Sequence, residues 1–177
     1  MEIRPVEAAE GPIRRYIEEL WLPYMRELEE VVKGEGLSPE FDVEAEIEWQ
    51  IDRFDAADSR LWVALEDADE STAPLGAVEA TFAGFVGAEL DPAPSSFDQP
   101  DSVVVGDFYV AESFRGGELA DRLIARAVGF AREHGCEQLA LDVDIDNERA
   151  LAYYEKLGFE VRRHRMAVPI EELRLDA

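Results

Sequence analysis

A chain of 177 residues, 47% of them apolar and 10% aromatic, is long enough to bury one core and too apolar for intrinsic disorder. Its 41 Asp and Glu against 17 Lys and Arg give a formal charge of -24, which argues against nucleic acid and against docking on an anionic membrane surface. One cysteine, Cys136, excludes an internal disulfide and a Cys-rich metal site, no apolar run is long enough to cross a bilayer, and Met1-Glu2-Ile3-Arg4-Pro5 has no signal-peptide character, so a soluble cytoplasmic protein is expected.

Residues 3–6 suit a short edge strand, where Pro5 is tolerated. From Gly11, apolar residues recur at three- and four-residue spacing: Ile13, Tyr16, Ile17 and Leu20, then Tyr24, Met25, Leu28, Val31 and Val32. Pro23 should divide this run into two consecutive helices, closed by Gly34 and Gly36. A third helix is expected over 43–54, and alternation over 60–66 reads as a strand. After a polar turn at 67–74, residues 75–89 read as its hairpin partner, and 91–101 as a loop. Residues 102–110 are β-rich enough for a central strand.

In the C-terminal half, Leu119, Leu123, Ile124, Ala127, Phe130 and Ala131 form one apolar stripe of a helix over 118–134. Residues 138–145 alternate as a strand, Asn147 is an N-cap for a short helix carrying Ala150, Leu151, Tyr154 and Leu157, and 159–168 should be a final strand. No linker or repeat divides residues 1–177, so one domain is expected. Strands and helices in this order imply a mixed sheet covered by helices, an α/β or α+β fold.

The acidity is diffuse, with clusters at Glu27-Glu29-Glu30, Glu66-Asp67-Asp69-Glu70 and Asp142-Asp144-Asp146, and only Lys33 and Lys156 are lysines. Such a surface suits a protein working in concentrated salt, where a Debye length of about 3 Å near 1 M screens self-repulsion. The rival reading is a surface that recruits a cationic partner.

Arg115-Gly116-Gly117 opens a helix directly after a strand. A glycine turn feeding a helix N-terminus offers unpaired backbone N–H groups and the positive end of the dipole, a geometry suited to phosphate. The alternative reading of the same glycines is a plain packing turn. The segment FYVAESFRGGELADRLIARAVGFAREHGCEQLALDV, followed by NERALAYYEKLGF, resembles the GNAT superfamily of acetyl-CoA-dependent N-acetyltransferases. The family's turn, Arg/Gln-x-x-Gly-x-Gly/Ala, falls on Arg115, Gly116, Gly117, Glu118, Leu119 and Ala120. Its second signature is met by Asn147, Ala150, Tyr154, Gly158 and Phe159. The specific match runs over about residues 102–168.

The resemblance implies a mixed, mostly antiparallel sheet, splayed beside the strand ending at Val110 and flanked by helices. It implies pantetheine in the split, bonded to backbone near Phe108, Tyr109 and Val110, and pyrophosphate on amides of residues 115–120. It implies Tyr154 as the acid that protonates the departing thiolate, with Asn147 near the coenzyme or serving only as a cap. A primary amine on a small molecule or peptide would attack the thioester directly, and a homodimer is compatible with the family. Glu118 departs from the pattern, standing where the family has glycine, and its carboxylate would face the pyrophosphate. A non-catalytic acyl-CoA-binding module is therefore the alternative. Asp107 and Glu112 are the leading candidates for the base, with Asp142 and Asp144 behind them. The spacing of Asp142, Asp144 and Asp146 starts like a calcium loop, but Asn147 and Tyr153 occupy the positions that need Gly and Glu, so no metal is expected.

Overall fold

The computed structural model of the chain describes residues 1–67, 73–96 and 98–174. A five-stranded sheet forms in sequence order from β1 (Glu2–Pro5), β2 (Ser59–Glu66), β3 (Thr81–Asp91) and β4 (Ser102–Val110) to β5 (Gln138–Leu141). The first four strands are antiparallel neighbours, and β4 with β5 is parallel. The parallel step is made by α4 (Leu119–Glu133), a crossover of the kind a parallel pair requires.

The two faces carry separate cores. On one, α1 (Glu10–Tyr16), a π-helical turn (Ile17–Trp21), α2 (Leu22–Val31) and α3 (Val43–Asp55) cover Leu61, Val63, Leu65, Phe82, Phe85 and Tyr109. On the other, the apolar stripe of α4 packs Leu123, Ala127 and Phe130 against Ala64, Val86, Val103 and Val105. β2, β3 and β4 each supply side chains to both cores, as the central strands of a sheet covered on both faces must.

Pro23 does not break the N-terminal helix. The chain stays helical from α1 into α2, and the tight spot is taken up one turn earlier, where the Leu22 N–H reaches back to the Ile17 carbonyl. A π turn of this kind accommodates a proline without an interruption. Asp42 caps α3 through Glu44, and Arg15 of α1 donates to the carbonyls of Leu75 and Ala80, fixing the segment before β3.

Three expected strands differ. The hairpin partner begins at Thr81 rather than 75: Leu75 and Val78 are buried, but in a turn. β5 ends at Leu141, so Asp142 and Asp144 lie beyond it, where Asp144 bonds the Asp146 amide in a tight turn. The final strand over 159–168 is not formed, and residues 160–174 are all exposed. Four consecutive polar side chains, Arg162, Arg163, His164 and Arg165, interrupt its apolar alternation and leave it no continuous face to bury. The polar turn expected at 67–74 falls mostly outside the described residues.

Candidate active site

The ladder between β4 and β5 runs from Ser102–Gln138 to Val105–Leu141 and stops, while β4 continues to Val110 on its β3 side. Residues 106–110 therefore present backbone groups to a gap on the side where β5 has ended. Gly84 explains how closely the other side is held: a Cβ there would sit 2.6 Å from the Tyr109 carbonyl oxygen.

A bulge sits at the same point. Gly87 of β3 faces both Gly106 and Asp107, because Ala88 pairs with Val105 and Val86 with Phe108. One extra residue reverses the parity of the strand. Val103 and Val105 face α4, and uninterrupted alternation would send Asp107 and Tyr109 the same way. Instead Tyr109 joins the opposite core, and Asp107 meets Trp21 on that face too.

Asp107 is enclosed by the N-terminal helices. The Trp21 indole N–H donates to its Oδ2 at 3.1 Å, and the Tyr24 hydroxyl neighbours the same carboxylate. Burial raises the Asp107 carboxyl above the ordinary aspartate value, against the lowering influence of Trp21, the Arg53 charge and Tyr24. Burial and the adjacent Asp107 charge raise the Tyr24 hydroxyl in turn. Glu112, the other leading base candidate, lies exposed in a 3-10 turn (Glu112–Phe114).

Glu27 on α2 ties this face to the glycine turn. It accepts hydrogen bonds from the Tyr109 hydroxyl and the Arg115 guanidinium, with Arg149 at 3.8 Å. Burial alone would raise the Glu27 carboxyl, but these bonds and cations outweigh it and hold it below the usual range. Arg115 also donates through Nε to the Val110 carbonyl at 2.8 Å and lies over the Tyr109 ring.

Beyond Arg115, Gly116 adopts φ +80°, and neither Gly116 nor Gly117 has a neighbour within 4 Å of a would-be Cβ. Glu118 is the exposed N-cap of α4, with no side-chain cap bond. The first α4 bond of the Arg122 N–H goes back to the Glu118 carbonyl, so the amides of buried Leu119, of Ala120 and of Asp121 lie in the free first turn.

α5 (Glu148–Lys156) flanks the gap. Asn147 caps it, Oδ1 accepting from the Ala150 N–H at 3.1 Å. Tyr153 stacks on Phe108 and donates to Asp121 at 3.0 Å. Tyr154 is 9% exposed, its ring 6.4 Å from Phe108 and 5.6 Å from Phe159, and burial pushes its hydroxyl up to about 12. Tyr154 adds to the raising of the Tyr24 hydroxyl, after burial and the Asp107 charge.

The structure thus gathers Asp107, Phe108, Tyr109, Val110, Arg115 and Tyr154 around one gap, with Gly116 to Ala120 at its α4 end. Asp142 and Asp144 stand in the loop after β5. Trp21, Tyr24 and Glu27 are not among the site residues that the sequence suggests. The first two stand in an apolar helical run that reads as core, and Glu27 reads as one of a cluster of surface acids. Their three- and six-residue spacing on one helix was the available signal, but nothing local connects it to β4.

The acetyltransferase (GNAT) family matches residues 17–159. N-alpha-acetyltransferase MAK3 of Arabidopsis thaliana is 40% identical over 50 residues, which are 28% of this chain and 26% of that protein. The match thus spans about a quarter of that relative's length. Among solved structures, the BH1408 protein from Bacillus halodurans has a TM-score of 0.68 at 18% identity, covering 96% of this chain and all of that one. The aminoglycoside N-acetyltransferase AAC(6')-Iy in complex with CoA has a TM-score of 0.65 at 19% identity, over 95% of this chain and 93% of that one. The chain belongs to the acetyltransferase (GNAT) family.

Proposed function

We propose that this member of the GNAT family is an N-acetyltransferase that moves an acetyl group from acetyl-CoA to a primary amine by direct attack, with no acyl-enzyme. The observation that carries this reading is the β4 backbone at 106–110, which runs past its last β5 partner and ends beside a glycine turn and a free helix tip. The fit is chemical. Backbone donors and acceptors of Phe108, Tyr109 and Val110 suit the amides of pantetheine, and the amides from Gly116 to Ala120 suit a pyrophosphate. Arg115, anchored on Glu27 and Val110, adds a guanidinium beside that turn.

When bound, the thioester supplies an already activated acyl carbon, so the chain mainly orients the partners and moves two protons. Asp107 Oδ, directly or through one water, takes the proton of the attacking amine. Its raised pKa brings it nearer to the strength such a base needs. Tyr154 Oη, held protonated by burial, gives its proton to the departing sulfur. Trp21 and Tyr24 hold the Asp107 carboxylate and form the wall on the acceptor side. The acceptor is a primary amine on a small molecule or a peptide. The diffuse charge of -24 supports work in the cytoplasm of a salt-adapted cell.

The test is release of free CoA thiol from acetyl-CoA in molar KCl with a panel of aminoglycosides, polyamines, amino acids and peptides. One observation favours a second reading: the exposed Glu118 carboxylate at the α4 tip, where it opposes an anionic group. Coenzyme binding without thiol release on any amine would establish that reading, a non-catalytic acyl-CoA-binding module, and exclude the first.

A further inference from the structure

We infer that Arg53 of α3 is a positioning residue for acetyl transfer: clamped against the β4 bulge, it supplies the fixed counter-charge that faces Asp107. The inference rests on the reading of Asp107 as the base. Gly106 and Asp107 share one partner on β3, and Arg53 lies against the first of them. A Cβ at Gly106 would stand 3.2 Å from Arg53 Nη2, so a side chain there would crowd the guanidinium off the bulge.

The guanidinium has little freedom. It lies over the Phe54 ring at 5.1 Å and the Trp49 ring at 5.2 Å, and Nη2 donates to Glu89 at 3.4 Å. Its backbone is tied as well, since the buried Ser59 hydroxyl donates to the Arg53 carbonyl. Phe54 closes the clamp, its ring 3.7 Å from where a Gly87 Cβ would stand, opposite the bulge. Trp49 is 54% exposed, so its ring adds little to the core and forms the outer wall of the Arg53 slot.

Four elements face Asp107. The π turn brings the Trp21 indole, α2 the Tyr24 hydroxyl, α1 the Tyr16 hydroxyl and α3 Arg53. Glu89 of β3 stands behind Arg53, Glu46 of α3 acts on Tyr16, and Tyr154 and Glu35 act on Tyr24. Arg53 is the cation of this set, and it favours the ionised Asp107 against burial. Trp21 and Tyr24 orient the carboxylate by hydrogen bonds. Arg53 directs its bond to Glu89 and acts on Asp107 through space, with no bond that an arriving amine must displace.

The carboxyl carbon resonance of Asp107 in the full chain, identified by its loss in Asp107→Asn, follows this titration without turnover. At one fixed KCl concentration, Arg53→Gln should raise the midpoint by about one pH unit, the low end of what an opposite charge within ~4–6 Å gives. Arg53→Lys keeps the charge and should restore most of that shift. The acid limb of kcat/KM should climb with the midpoint while the plateau above it stays close to wild type. A merely structural role would lower the plateau and leave the limb in place. Glu89→Gln, an exposed change, removes the anion that competes for Arg53 and should lower the midpoint, which tests the inference even if Arg53→Gln does not fold. A midpoint unmoved in folded Arg53→Gln, a Lys variant that titrates like the Gln variant, or a midpoint that does not fall in Glu89→Gln would each overturn the inference. Failure of Asp107 as the base reads differently: the midpoint moves with Arg53 and the acid limb does not follow.

Discussion

The indole N–H of Trp21 donates to Oδ2 of Asp107 across 3.1 Å, joining the π-helical turn to the bulge of β4. Two local irregularities thus meet at one carboxylate. The bulge turns Asp107 toward the N-terminal helices, and the π turn presents Trp21 to receive it. Both kinds of irregularity concentrate at functional positions in proteins.

Asp107→Asn should lower kcat/KM by about 100-fold, the scale of a lost general base. In the wild type the acid limb of the kcat/KM profile should lie above the ordinary aspartate value of 3.8, because burial raises this carboxyl. The variant should lose that limb. Stability should move the other way. A raised folded pKa means that the group's favourable contribution is full below 3.8 and is lost as pH climbs through the folded value. At neutral pH the wild type therefore carries the cost of a buried charge. The variant, whose amide oxygen still accepts from Trp21, should melt no lower than the wild type in a calorimetric scan at pH 7.

Tyr154→Phe should reduce kcat by about 100-fold while coenzyme affinity stays within about twofold, since the ring remains and only the proton donor goes. Paired steady-state kinetics and calorimetric titration would check this. Equal losses in kcat and affinity would assign Tyr154 to binding instead.

Glu27→Gln should loosen α2 from the end of β4. The carboxylate is partly exposed, so the loss is about 1 kcal/mol and not that of a buried pair. Its folded pKa is depressed, so the stabilisation is present above the ordinary value of 4.5 and lost as pH falls through the folded value. Denaturant titrations should therefore separate variant from wild type at pH 7 and bring them together in acid. A constant gap across that range would contradict the assignment.

Much of this was legible in the sequence, and the exceptions share a cause. α4 and its stripe, the Asn147 cap, the glycine turn and the two faces of the sheet all follow from short-range pattern. The β4 bulge does not: SVVVGDFYV reads as one strand, and only its pairing with β3 shows that Gly106 and Asp107 share a partner. Pro23 carries a strong local signal for a break, overridden by packing of Ile17, Leu20 and Trp21 into the core. The run 159–168 carries strand-forming residues, but a strand needs a neighbour, and pattern says nothing about where that neighbour is. Glu27 was legible only as charge, because its partners, Tyr109 and Arg115, lie more than 80 residues away.

Thermal melts across KCl concentration test the charge argument. Raising salt from 0.1 to 1 M shortens the Debye length from about 10 to about 3 Å. A chain of charge -24 with spread acids should gain melting temperature over that interval. A flat or falling curve would remove the case for salt adaptation.

The most direct measurement is hydrogen exchange of the chain with and without CoA in molar KCl. In the proposed function the coenzyme lies along the free β4 backbone and on the α4 tip. Protection should appear at amides within 106–110 and 116–121 and little elsewhere on the sheet. CoA that leaves those amides unchanged, or that protects a different part of the molecule, would contradict it.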